Sequence, residues 1–274
     1  VVAIVTDSTA DLSPENAARL GVRIVPLVVS IDGQTYEDGV DLAPADFYRK
    51  LSQARAVPST SQPALGRFKQ AYEGLDADEI VSIHLSSTLS GTLNAAAAAA
   101  QEMAGKRITV LDSRTLSLSL GYLVELAAEA AAAGESVEGI TALVESAIPR
   151  TGFVGVLDSL QHAQRSGRLS SAQALLASVL RIKPIIALRD GQVQAIDKPR
   201  TMRKAVDRLV ELVSAEAPLA FVAIPHAANE GLAQDLAKGL ASLAPGPIQV
   251  VATGAVLGTH CGPGAAAVCF ARRQ

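Results

Sequence analysis

Four short hydroxyl-rich stretches follow apolar runs in the first half of the chain: "TDSTADL" from Thr6, "PSTSQP" from Pro58, "HLSSTLSGT" from His84 and "LDSRT" from Leu111. Serine and threonine hydroxyls donate hydrogen bonds, so gathered at the carboxyl ends of a parallel sheet they would hold an anionic or polar ligand. Each stretch alone is also what a turn or a helix cap requires. Four of them in one region favour a polar pocket. "LSSTLSGT" precedes an alanine-rich run that begins near Thr92, and the free amides there, with the helix dipole and the Ser90 hydroxyl, suit a carboxylate or phosphate as well as they suit ordinary capping.

Two cationic residues could complete such a site. "SGRLS" (Ser166 to Ser170) sets Arg168 beside a glycine, ahead of an apolar helical pattern. A guanidinium turned inward would fork a carboxylate, and one turned outward would be an ordinary surface arginine. "GTHCGPGAA" from Gly258 flanks His260 with glycines, which let the backbone approach a ligand and adopt positive φ, so a tight loop holding the imidazole is expected. With a reference pKa of about 6.5, a histidine beside a carboxylate favours its charged form unless burial or Arg168 opposes it. His84, His162 and His226 read as structural.

Familiar enzyme motifs are missing from the sequence. It holds no GxxxxGK[ST] loop, no GxSxG elbow and no HExxH pair, and "GPGAAA" lacks the last glycine of a dinucleotide fingerprint. Ser90, His260 and Asp7 supply the residue types of a hydrolase triad, which keeps that chemistry open. The two cysteines, Cys261 and Cys269, form no CxxC pair, and neither a metal nor a cofactor is expected.

The elements that must position these groups are legible as patterns. The 274 residues are 49% hydrophobic and 19% charged, a globular composition with no apolar run of transmembrane length. The net charge is −3, and the absence of a basic run interleaved with aromatics argues against nucleic acid as a partner. The opening "VVAIVTDS" reads as a core strand and not a leader, which places the chain in the cytoplasm. Aromatic residues are only 3%, so a core rich in alanine and glycine must pack its elements closely.

"VVAIV", "VRIVPLVVSI" from Val22, "EIVSIHL" from Glu79 and "RITVLDS" from Arg107 read as strands apolar on both faces, alternating with helical stretches. In the first helix Ser13 is the expected cap and Pro14 the first helical residue. The second half changes character. "IKPIIALRDGQVQAI" joins two apolar runs at Asp190-Gly191, a hairpin signal, and "LAFVAIPHA" and "IQVVATGAVLG" add strands around the helix "NEGLAQDLAKGLASL". The expectation is an α/β protein of two domains, 1–150 with a mainly parallel sheet and 151–274 with a mixed sheet.

Taken together, "TDSTADLSPE", "PSTSQPALGRF", "HLSSTLSGTLNAA", "VLDSRTLSLSLGYLV", "SGRLSSAQALLASVLRIKPII" and "GTHCGPGAA" resemble the bacterial DegV family in order and spacing, over nearly the whole chain. That resemblance implies two α/β domains with a long-chain fatty acid in a tunnel between them. It also implies that the bound carboxylate is presented to a separate ATP-using kinase subunit that forms the acyl phosphate, the chain itself being no enzyme. Thr60 of the TSQP motif and Ser90 with Gly91 of the LSGT motif would bind the carboxylate, and Arg168 and His260 would belong to the network around it. The chain departs from the family pattern at Ala64, at Asn94-Ala95 and at Ser166, which bears on the shape of the tunnel more than on the head-group site.

Burying about fourteen methylenes at ~0.8 kcal/mol each would supply most of the affinity, leaving the polar residues to satisfy the carboxylate. The basic stretch "KPRTMRKAVDR" (Lys198 to Arg208), with Arg200 and Arg203, is the candidate docking surface for the kinase, or simply a solvated helix face. The alternative reading is a Ser/His-dependent acyl hydrolase, or a phosphotransferase acting on a small anionic substrate.

Overall fold

A computed structural model describes residues 1–168 and 182–273. The stretch "LSSAQALLASVLR" of the arginine motif therefore lies outside the described residues. The first half runs β1 (Ala3–Asp7), α1 (Pro14–Leu20), β2 (Arg23–Val25), β3 (Val28–Ile31), β4 (Gln34–Glu37), α2 (Pro44–Gln53), β5 (Ser59–Ser61) and α3 (Leu65–Glu73). It continues through β6 (Glu79–His84), α4 (Thr92–Gln101), β7 (Arg107–Asp112), α5 (Ser117–Ala132) and α6 (Val137–Ala147). Strands β2-β1-β6-β7 form an all-parallel sheet.

The doubly apolar strands have a direct cause. Ile4, Val81 and Ile83 point to α5 and α6, where they meet Leu120, Leu123, Ile140 and Val144. Their neighbours Val5 and Ile80 point the other way, to Phe68 and Tyr72 of α3 and Ala95, Ala96 and Ala99 of α4. The alanines of α4 let that helix lie close to the sheet. Its first turn is thereby held at the carboxyl end of β6.

"VRIVPLVVSI" is not one strand. Pro26 has no N–H to donate to a ladder, and the run divides there. β2 joins the parallel sheet, while β3 pairs antiparallel with β4 and β5 in a separate three-stranded sheet, with Val29 opposite Thr60.

The second half runs β8 (Thr151–Val156), α7 (Gln161–Arg165), β9 (Ile185–Arg189), β10 (Gln192–Asp197), α8 (Met202–Ser214), β11 (Leu219–His226), α9 (Glu230–Leu240), β12 (Gln249–Ala252), α10 (Ala255–Cys261) and β13 (Ala266–Arg272). Its six-stranded sheet, β10-β9-β8-β13-β11-β12, is mixed: only β11 and β12 are parallel. The β9–β10 hairpin turns at Asp190 and Gly191 with φ of 50° and 78°, the two positive angles of a tight two-residue turn. Helices α8 and α9 cover one face through Leu209, Val213, Leu232 and Leu236.

"IQVVATGAVLG" also divides, into β12 and α10. His260 consequently sits in the last turn of a helix and not on a glycine loop. Each glycine there has a separate task. Gly262 ends the helix at φ 72°, and Gly258 faces α2, where a Cβ would stand 2.6 Å from Phe47 and 2.7 Å from the Tyr48 hydroxyl. Ala255 and Val256 complete the apolar cluster of Leu27, Val29, Ile31, Leu42 and Phe47. Helix α10, from the second half of the chain, is thus packed onto the small sheet and α2 of the first. Among the described residues no helix is long and apolar enough to cross a membrane.

Candidate functional site

Thr60 and His260 meet across these two halves. The Thr60 Oγ1 to His260 Nε2 distance is 2.9 Å, between β5 and α10. His260 Nδ1 is buried and has no hydrogen-bond partner among the described residues. Burial first, and the Arg168 charge second, push the His260 pKa down to about 4, so the ring is neutral at pH 7. Burial and Arg168 therefore prevail over the tendency toward a charged imidazole.

Ser90 stands just before α4. Its Oγ lies 2.9 Å from Thr92 Oγ1 and accepts from the Thr92 amide at 3.3 Å, in place of the side-chain cap that Gly91 cannot provide. Gly91 has a steric reason: a Cβ there would overlap the carboxamide of Gln62. The "TSQP" turn can therefore close onto the start of α4, which brings Thr60, Gln62, Ser90 and Gly91 to one cavity together with His260 and Arg168.

Arg168 is exposed, donates through Nη1 to the Ser166 carbonyl at 2.5 Å, and also lines that cavity. The five residue positions read from the sequence as head-group binders thus border one space. Arg200 and Arg203 do not line it and are exposed before and in the first turn of α8, while Arg208 of the same stretch is paired with Asp197 and Glu211.

A second, almost wholly apolar cavity adjoins the first. The two share Leu116, Arg168, Val193, Leu257 and His260. Beyond these, the apolar cavity is lined by Phe153, Gly155, Ile186, Pro225 and Ala265 to Ala267, on and beside four strands of the six-stranded sheet. Small residues make this space: a Cβ on Gly155 would stand 2.9 Å from that of Ala267. Val193 is carried by the β9–β10 hairpin, whose turn is tied to the first half by Ser86 and Thr88, both donating to the Gly191 carbonyl at 2.8 and 2.6 Å.

Asp7 does not join Ser90 and His260. Its carboxylate is fully buried and accepts from Thr9 N–H and O–H, from Leu85 N–H at 3.1 Å and from His84 Nδ1 at 3.0 Å. His84 Nε2 then contacts Ser82 Oγ at 2.7 Å, and Ser82 meets the Tyr72 hydroxyl at 3.0 Å. These atoms have the order of a hydrolase relay, yet every one belongs to a buried residue under Phe68 and borders neither cavity. Ser90 and His260 bond to Thr92 and Thr60 and not to each other. The geometry is that of a polar cavity beside an apolar one, and among the described residues Ser90 has no histidine partner.

Sequence reasoning overlooked two acids. Asp11, at φ 52°, accepts from Ser117 O–H at 2.5 Å, Thr253 O–H at 2.8 Å and Gly254 N–H at 2.9 Å. Asp38 accepts from Ser8 O–H at 3.0 Å and Ala255 N–H at 2.8 Å. Burial raises both pKa values, that of Asp38 to about 6, with the Asp11 charge adding to it and the bonds from Ala255 and Ser8 opposing it.

A raised carboxylate pKa means that the folded chain binds the proton more tightly than the unfolded one, so ionisation costs stability above about pH 6 and that cost disappears below the unfolded pKa. The Asp38 contribution to stability should therefore increase as pH falls from 7 toward 5. In Asp38→Asn this limb should flatten, as denaturant unfolding across that range will measure; an unchanged slope would count against it. Asp11 and Tyr48 are titratable groups near it that both chains retain.

Comparison with known proteins bears on the same geometry. The family model of the DegV proteins matches residues 1–273. A DegV domain-containing protein of Deinococcus radiodurans is 41% identical, with 98% of each chain covered. Among solved structures, a DegV family protein from Thermus thermophilus, described as fatty acid binding, superposes with a TM-score of 0.91 at 32% identity, covering 98% of this chain and 99% of that one. DegV from Bacillus subtilis, described as a fatty acid binding protein, superposes with a TM-score of 0.89 at 34% identity, covering 99% of both.

Proposed function

The chain belongs to the DegV family, and on that premise we propose that it binds a long-chain fatty acid, with its carboxylate in the polar cavity and its alkyl chain along the apolar one. The observation that carries this reading is the junction of the two cavities at Leu116, Val193 and Leu257, beside the pair Thr60 and His260. Thr60 and Ser90 are the hydroxyl donors to the carboxylate, Gly91 gives them room, and Arg168 and His260 supply the surrounding positive and polar character. The two domains in this reading are 1–150 and 151–274.

Burying an unpaired N–H is costlier than burying a bare ring nitrogen lone pair. Because Nδ1 of His260 has no partner, the proton belongs on Nε2, where it is donated to Thr60 Oγ1. The Thr60 hydroxyl then points its own proton at the ligand.

The finer part of the proposal is that the chain performs no chemistry itself and presents the acid, in the cytoplasm, to a kinase subunit through the exposed Arg200 and Arg203. Denaturing the purified protein, extracting it with organic solvent and analysing the extract by mass spectrometry should yield stoichiometric fatty acid; an empty extract from folded protein would refute the binding. With lipid bound, Arg200→Glu combined with Arg203→Glu should slow acyl phosphate formation by an added kinase subunit. An undiminished rate would remove those residues from the docking surface.

A further inference from the structure

His260 is only as well placed as α10, and α10 has seven residues, too few to hold itself. Its last turn reaches Thr60. Its N-terminus is held by two carboxylates from the other half of the chain: Asp11 takes the Gly254 N–H, and Asp38 takes the Ala255 N–H. Each is anchored in turn. Asp11 also binds Thr253 and Ser117, the latter at φ 55°, so two residues in an uncommon backbone conformation face each other through one hydrogen bond. Asp38 binds Ser8, whose Oγ accepts from the Leu27 amide and so ties the acid to the segment leading into β3.

Gly254 admits this arrangement, since a Cβ there would stand 2.9 Å from Asp38 Oδ1. The Tyr48 hydroxyl closes the same corner on the Thr253 carbonyl at 3.3 Å. Two buried acids are a costly means of capping one short helix, because uncharged side chains could accept the same two bonds. A site that needs an imidazole held at a fixed distance gains what the fold alone does not need: charge-assisted bonds, which are shorter and stiffer.

We infer that Asp11 and Asp38 are positioning residues for the carboxylate site, acting through α10 to hold His260 against Thr60. The inference rests on the fatty acid reading proposed above. It separates two contributions to binding: the alkyl chain depends on the apolar cavity, and recognition of the acid depends on the Asp11–Asp38 clasp. The experiment compares a fluorescent long-chain fatty acid with the corresponding fatty alcohol, binding each to the full chain and to Asp38→Ala.

The variant should bind the acid about tenfold more weakly than the parent and the alcohol within about twofold, so that preference for the acid collapses. Asp38→Asn, which keeps an acceptor for Ala255 but not the charge, should restore only part of that preference. Gly254→Ala, which pushes on Asp38 without altering any acid, should reproduce the loss and provides the test if Asp38→Ala does not fold. Unchanged discrimination in these variants, or equal weakening of both ligands, would overturn the inference. Failure of the parent chain to bind either ligand would instead overturn the fatty acid reading, and this inference with it.

Discussion

Thr60→Val should weaken fatty acid binding by about 10- to 100-fold while lowering the melting temperature by only a few degrees. Valine matches threonine in shape and is favoured in strands, so β5 keeps its place opposite Val29. What disappears is one hydroxyl between a ligand anion and the His260 ring. A hydrogen bond to a charged group is worth about 1.5–3 kcal/mol, whereas the orphaned Nε2–H costs stability in the free and bound chain alike. Titration with a fluorescent fatty acid, alongside thermal unfolding, separates the two quantities. A loss of affinity under about threefold would remove Thr60 from the head-group site, and a large fall in melting temperature would make its role one of folding.

The second large effect is expected at Gly258. Glycine to alanine inside a helix ordinarily stabilises by about 1 kcal/mol. Here the sign should reverse, because the added methyl would meet Phe47, which is fully buried, and the Tyr48 hydroxyl, which is tied to Thr253. Overpacking of this kind costs about 1–3 kcal/mol, which for a chain of this length lowers the melting temperature by roughly 2–10 °C. Helix α10 can relieve the clash only by moving off α2, which also carries His260 away from Thr60. Fatty acid affinity should fall together with stability, and a stabilised Gly258→Ala variant would show that α10 is free to shift.

These two positions differ in how visible they are in the sequence. The parallel sheet is legible because β1 and β6 carry apolar residues on both faces, a pattern produced by helix layers on either side. The hairpin is legible because Asp190-Gly191 is a local rule. The sheet β4-β3-β5 is not, since strands of three and four residues bring residue 28 against residue 61, and "PSTSQP" has no apolar alternation to announce a strand.

The place of His260 is misread for a related reason. Gly254, Gly258 and Gly262 look like loop residues, yet one caps the helix, one admits α2 and one ends it, and tertiary packing decides among those uses. Thr60, Ser90 and Arg168 are ordinary polar residues until the family resemblance groups them. Asp11 and Asp38 escape notice because their partners, Gly254 and Ala255, lie 243 and 217 positions away, and nothing local to an aspartate in a turn records that.

The bond between Thr60 and His260 spans 200 positions, and this has a consequence for the order in which the molecule is made. The parallel sheet and its helices are complete by residue 147 and can fold while translation continues, but the part of the polar cavity's wall that carries Arg168 and His260 is still unmade at that moment. A ribosome-bound chain lacks the Thr60–His260 pair of the proposed head-group site until residue 260 has emerged and α10 has docked. On the proposed reading, the polar cavity closes only when α10, from the second half, docks beside β5 of the first, so the site is assembled by tertiary packing and not by either half alone.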